Sequence, residues 1–263
     1  MSYYDQLKGN NLIRLLSGMF KAGALSLRGS DGKIVANLRV ETSSPWRHIR
    51  SGYKTNCFLW KEVLFHEIVE KHLPIEKRFA PLGCQDCFKI VARPRTLEQL
   101  FELEKVMVQL DLPSKLGIEI RPTVFANYGS YFYNRGLPAG LECYKKVRAA
   151  VDASPKLGPD IKVILKRGCT EIEHGIGRSD EWKVTQEQVA FELYLRERFV
   201  DDIPVLNQSD LVINEVHQRW IEYAYGIADE TILIYTDGKP LYPDYVTYHH
   251  LAERQEGEEE PKK

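Results

Sequence analysis

Between Phe88 and Cys169 short apolar runs alternate with long amphipathic ones, and this alternation constrains the fold more than any other feature of the chain. Residues 88–92 have the length and composition of a buried strand, which ends at Arg93-Pro94. Thr96 then stands three residues before Gln99, the spacing of a capping box, and Leu97, Leu100, Phe101, Met107 and Val108 give the next helix an apolar face. Pro113 and Gly117 break the chain before a second short strand, 118–120, which again ends in Arg-Pro at Arg121-Pro122. The stretch TVFANYGSYFYNRG reads as a long aromatic loop. It leads to a helix with Pro138 near its first turn and a stripe of Leu137, Leu141, Tyr144, Val147 and Val151. A third strand, 161–165, ends at Lys166-Arg167-Gly168-Cys169. Strands joined by helical crossovers predict an α/β fold with a mainly parallel central βαβαβ sheet. A ferredoxin-like α+β arrangement is the alternative.

The flanking segments are less regular. A helix is expected over 10–21, followed by a hairpin whose turn is Asp31-Gly32, a dipeptide suited to positive φ. TSSPWRHIRSGYKTN reads as a polar loop. A helix over 58–72 is stopped by Pro74, and helical spacing returns over 185–200 and 209–225. ETILIYTDGKPLYPDYVTY has the pattern of a strand, a turn and an edge interrupted by proline. The tail ERQEGEEEPKK lacks apolar anchors and reads as disordered. The resulting division is an N-terminal helix and hairpin segment (1–56), a central α/β domain with C-terminal helices (57–240) and a terminal segment (241–263).

Charge narrows the partners. The 36 basic and 37 acidic residues leave a formal net charge of −1 over 263 residues. That balance argues against nucleic acid or an anionic membrane surface as the main partner, since both need clustered excess positive charge. No apolar run is long enough to span a bilayer. The N-terminus is too polar for a secretory leader, so the expectation is a cytoplasmic protein. Five cysteines, an odd number, in such a chain do not suggest a disulfide framework.

The CxxC at Cys84 and Cys87 is the clearest chemical signal. A redox dithiol of the thioredoxin type sits at a helix N-terminus after a strand, whereas this pair precedes a strand. A zinc knuckle needs a second CxxC or CxxH nearby, which is absent from the sequence. Further ligands must come from distant positions. Cys57 opens a helix, where backbone amides favour a thiolate, and Cys169 follows the third strand beside Lys166 and Arg167. Cys143 lies within a helix and reads as a packed small hydrophobe. Cys57, Cys84, Cys87 and Cys169 are therefore the expected ligands of an iron–sulfur cluster or zinc.

Two other groups compete. In a parallel sheet the strand ends would bring Arg93, Arg95, Arg121 and Arg167 to one edge, as a pocket for a small anionic molecule or an anionic protein partner. On that sheet, however, Cys87 and Cys169 would lie at opposite edges, which sets the anion edge against the four-cysteine site. Glu171 and Glu173 alternate, so an extended backbone would turn both to one side as a general base or hard-cation site, with His174 as proton carrier. HEIVE, at residues 66–70, lacks the second histidine of a zincin helix, which argues against a metalloprotease. The expected function is a metalloprotein with a cysteine-ligated centre and an adjacent cationic pocket, acting as an enzyme or enzyme-assembly factor. The alternatives are a non-catalytic scaffold with structural zinc, and a metal-free hydrolase or transferase using Glu171, Glu173 and His174.

Overall fold

The computed structural model describes residues 3–37, 44–50, 57–200, 208–249 and 251. The acidic tail lies outside them. Two short helices, α1 (Asn10–Leu15) and α2 (Ser17–Lys21), replace the single expected one, with Leu16 between them. The hairpin of β1 (Leu25–Leu27) and β2 (Ile34–Ala36) is antiparallel, and Gly32 has φ +68° in its turn. An isolated bridge joins Ile34 to Phe199.

The central sheet contains β3 (Trp46–Ile49), β4 (Cys87–Arg93), β5 (Ser114–Ile118), β6 (Tyr128–Arg135) and β7 (Lys162–Arg167), in the spatial order β3-β5-β6-β4-β7. Every pairing within it is antiparallel. The expectation of a mainly parallel sheet is overturned, and the reason is one strand. The aromatic stretch read as a loop contains β6, where Tyr128, Ser130 and Phe132 alternate with Gly129, Tyr131 and Tyr133. β6 returns between β4 and β5, and so reverses the direction of everything that follows. With α5 (Leu97–Leu110) after β4 and α6 (Leu137–Ala153) after β6, the chain order becomes a split β-α-β-β-α-β unit with β3 added at one edge. The segment ETILIY, expected as a strand, is a 3-10 turn at Glu230–Tyr235.

The two faces of the sheet differ. Ile90, Ala92, Leu116, Ile118, Tyr128 and Phe132 point to one side, where they form a core with α5, α6 and α9 (Asp210–Gly226). Cys143 belongs to this core, as its place within α6 suggested. Thr96 caps α5 by accepting from the Gln99 amide, and Asp229 accepts from the Leu97 amide at 2.6 Å. On the opposite face stand Trp46, Lys89, Val91, Lys115, Tyr131 and Tyr133.

Over that second face lies α3 (Phe58–Glu70), a helix wound with π geometry. Its Leu59, Val63, Leu64, Phe65, Ile68 and Val69 form another core with α8 (Gln186–Arg196), the hairpin and α1. Two short helices complete the cover. These are α4 (Leu82–Gln85), which carries Cys84, and α7 (Thr170–Ile176), which follows Cys169. No helix among the described residues is long and apolar enough to cross a membrane.

Candidate functional site

The antiparallel sheet resolves the conflict over the cysteines. β4 and β7 run in opposite directions, with Phe88 paired to Arg167 and Ala92 to Val163. The start of β4 and the end of β7 therefore share an edge. The Gly168 amide donates to the Cys87 carbonyl at 2.8 Å, and Cys169 comes next. Gly168 has φ +62°, and a Cβ there would lie 2.4 Å from the Trp182 ring. Only glycine fits this close approach without displacing its neighbour.

Four elements supply the thiols. Cys57 caps α3, Cys84 sits on α4, Cys87 opens β4 and Cys169 caps α7. All four line one small cavity of about 20 Å³ together with Trp60, Lys61, Gly83, Arg135 and Gly168. All are free thiols. Glu192, which is fully buried, fixes the α4 turn from beneath: it accepts from the Leu82 amide at 2.7 Å and from Arg196 at 3.1 Å. Arg167 ties the same edge by donating to the Gln85 carbonyl at 2.7 Å and the Ser179 carbonyl at 2.8 Å.

A second cavity, about 480 Å³, lies between α3 and the polar face of the sheet, and shares Cys57, Lys61 and Cys169 with the first. Its walls carry four cations, Lys61, Lys89, Lys115 and Arg121, against two carboxylates, Glu62 and Glu67. Lys89 Nζ donates to Cys169 Sγ at 3.1 Å. Burial alone would lower the Lys89 pKa, but Cys169 and then Cys87 hold it raised. Cys57 is pushed up to about 12, first by burial and then by the neighbouring Cys169 and Cys87. The expected thiolate at the start of α3 is thus opposed by desolvation and like charge, which outweigh the helix-end amides.

The expected arginine pocket divides. β4 and β5 point the same way, so Arg93 and Arg121 do meet, but around an acid that the sequence reading overlooked. The side chain of Glu119 is completely buried, and Arg121 clamps it through Nε at 2.7 Å and Nη2. The Tyr131 hydroxyl donates to Glu119, while Arg93 donates to that hydroxyl at 2.9 Å. Burial favours the neutral form of Glu119, yet the bonds from Arg121 and Tyr131 prevail and its pKa is lowered. Arg95 lines a separate open groove with Arg93 and Lys162. Arg167 belongs to the opposite edge, where it donates to the Gln85 and Ser179 carbonyls and to the Gln85 side chain. The four arginines do not form one pocket.

The proposed catalytic acids also separate. Residues 170–176 are helical rather than extended, so Glu171 and Glu173 diverge. Glu171 meets Lys61 at 3.2 Å and Arg121 at 3.4 Å, and its pKa falls to about 2 because these cations outweigh burial. Glu173 pairs with Lys166 and accepts from the Ser179 amide. His174 is exposed on another side of the helix. His66 and Glu70 form a 2.7 Å pair along α3.

No family model, curated protein or solved structure matches this chain. Among the described residues, no three His, Cys, Asp or Glu side chains are grouped so as to hold a metal ion. The four thiols share a cavity without that tighter grouping. Lys89 and Lys115 were missed because each interrupts a strand as a lone cation; their signal was alternation with buried neighbours.

Proposed function

We propose that Cys57, Cys84, Cys87 and Cys169 hold an iron–sulfur cluster, and that the adjoining cationic cavity receives a small anionic molecule. The carrying observation is the convergence of four thiols from four separate elements on one cavity, while the fifth cysteine stays in the opposite core. Zinc would draw its thiolates to about 2.3 Å from one ion. A cluster interposes iron and sulfide between its ligands, which suits thiols that share a wall without close grouping. Cys57 and Cys169 also line the larger cavity, so a cluster held by the four thiols would stand at its wall.

The protein's own residues have definable parts in such a centre. Lys89 donates to the Cys169 sulfur, a second-sphere bond that stabilises negative charge on a ligand. Trp60 and Trp182 screen the cysteine edge from water, and Glu192 and Arg167 hold the turns that present the thiols. When bound, the cluster supplies one-electron transfer next to the cavity, consistent with an enzyme or an enzyme-assembly factor. Glu171 and Glu173 each pair with a cation and diverge on α7, which favours the metal-centred reading over a metal-free hydrolase.

Electron paramagnetic resonance on anaerobically purified, dithionite-reduced protein tests this reading. A cluster signal in the native chain that disappears in Cys84→Ser supports it. The same signal persisting in Cys84→Ser and Cys169→Ser would remove these residues as ligands.

A further inference from the structure

The four cations of the larger cavity are not equivalent. Lys61 pairs with Glu171, Arg121 with Glu119, and Lys89 with the Cys169 sulfur. Lys115 differs: among the described residues no carboxylate pairs with it, and its Nζ lies 4.0 Å from the centre of the Trp46 ring and 5.7 Å from that of Tyr131. Its position on β5, between His48 of β3 and Tyr131 of β6, directs it from the sheet into the cavity. We infer that the cavity binds a planar organic monocarboxylate, whose carboxylate rests on Lys115 and whose body lies against the aromatic wall of Trp46, Tyr131 and Tyr133. This rests on reading the cavity as the site of the anionic molecule, and it adds the ligand's class and its anchor.

Three observations select that class. The fork of Arg121 is already spent on Glu119, which leaves a single lysine point charge for the ligand. Glu62 and Glu67 on the wall are paired with Lys61 and Lys71, so neither lysine is a free second cation for a dianion such as phosphate. A volume of about 480 Å³ falls within the usual range for small-molecule sites and exceeds what a bare inorganic anion needs. Burial and then the neighbouring Arg121 bring the Lys115 pKa down to about 8, a strain that an incoming carboxylate relieves.

Anaerobic calorimetric titration of the full chain, with iron measured on each sample, tests the inference. The probes are benzoate, acetate and phosphate. Benzoate should bind saturably, and acetate and phosphate at least about tenfold more weakly. Lys115→Met should weaken benzoate binding by about tenfold or more, and Lys115→Arg should restore part of it, with both variants keeping the native circular dichroism spectrum. Unchanged benzoate affinity in Lys115→Met, tighter phosphate binding, or no benzoate binding to the folded native chain would overturn it. Iron-loaded protein that ignores benzoate would refute the ligand assignment alone. Iron-free protein with Lys115-dependent benzoate binding would instead refute the cluster and leave this assignment standing.

Discussion

The Gly168 amide donates to the carbonyl of Cys87, and this bond sets Cys169 beside the CxxC at one edge of the sheet. It is the last contact of the β4–β7 ladder, so the cysteine site is an extension of strand pairing. Gly168→Ala should be costly for two reasons: the left-handed backbone disfavours a side chain, and the added methyl meets the Trp182 ring. The left-handed conformation alone costs about 1–2 kcal/mol. A thermal melt should show a fall of about 4 °C or more. An unchanged melting temperature would mean that the edge tolerates rearrangement.

Cys143 offers an internal control. It lies in the α5–α6–α9 core, on the other side of the sheet from the four thiols. Cys143→Ala should cost about 1 kcal/mol of packing and leave iron content unchanged. Cys169→Ser should lose most of the iron, with little change in far-ultraviolet circular dichroism. Equal iron loss in both variants, measured by colorimetric assay, would contradict the assignment.

The sequence singles out Cys57, Cys84, Cys87 and Cys169 because a CxxC demands partners, with Cys57 at the start of a helix and Cys169 after a strand beside two cations. The structure brings these four to the wall of one cavity. What was not legible was how they meet. Reading 123–136 as a loop made β4 and β7 parallel, which placed Cys87 and Cys169 at opposite edges and gathered four arginines of which only Arg93 and Arg121 meet at Glu119. The aromatic residues of β6 alternate in the manner of a strand, but Gly129 and Asn134 gave the segment the look of a loop. Glu119 was hidden for a related reason. A lone acid between Ile118 and Ile120 carries no motif, and only the fold brings Arg93, Arg121 and Tyr131 around it.

Arg167 separates the structural reading of an arginine from the ligand-binding one. Its Nε and Nη1 each donate to a main-chain carbonyl, and its guanidinium lies 5.8 Å from the centre of the Trp182 ring. Arg167→Ala should destabilise the protein by about 1.5–3 kcal/mol in urea titrations. Benzoate affinity of the folded variant should stay within about twofold of the native value, a difference under 1 kcal/mol. A large affinity loss without loss of stability would return Arg167 to the binding site.

Glu119 gives the stability a definite pH dependence. Burial raises its pKa, while Arg121 and Tyr131 lower it more, so the folded value lies below the ordinary 4.5. A carboxylate with a depressed folded pKa contributes stability above its unfolded pKa and loses it as pH falls through the folded one. Glu119→Gln should therefore cost about 2 kcal/mol at pH 7 and flatten the stability loss below pH 4.5. Parallel stability curves for variant and native protein across that window would show that Glu119 does not carry this dependence.

The central claim, a cluster on Cys57, Cys84, Cys87 and Cys169, is tested most directly by iron, acid-labile sulfide and zinc analysis of the anaerobically purified native chain. The account predicts iron and sulfide in equal amounts and a brown protein with a broad visible absorption band. A colourless protein with one zinc per chain, or with neither metal after anaerobic reconstitution with iron and sulfide, would contradict it.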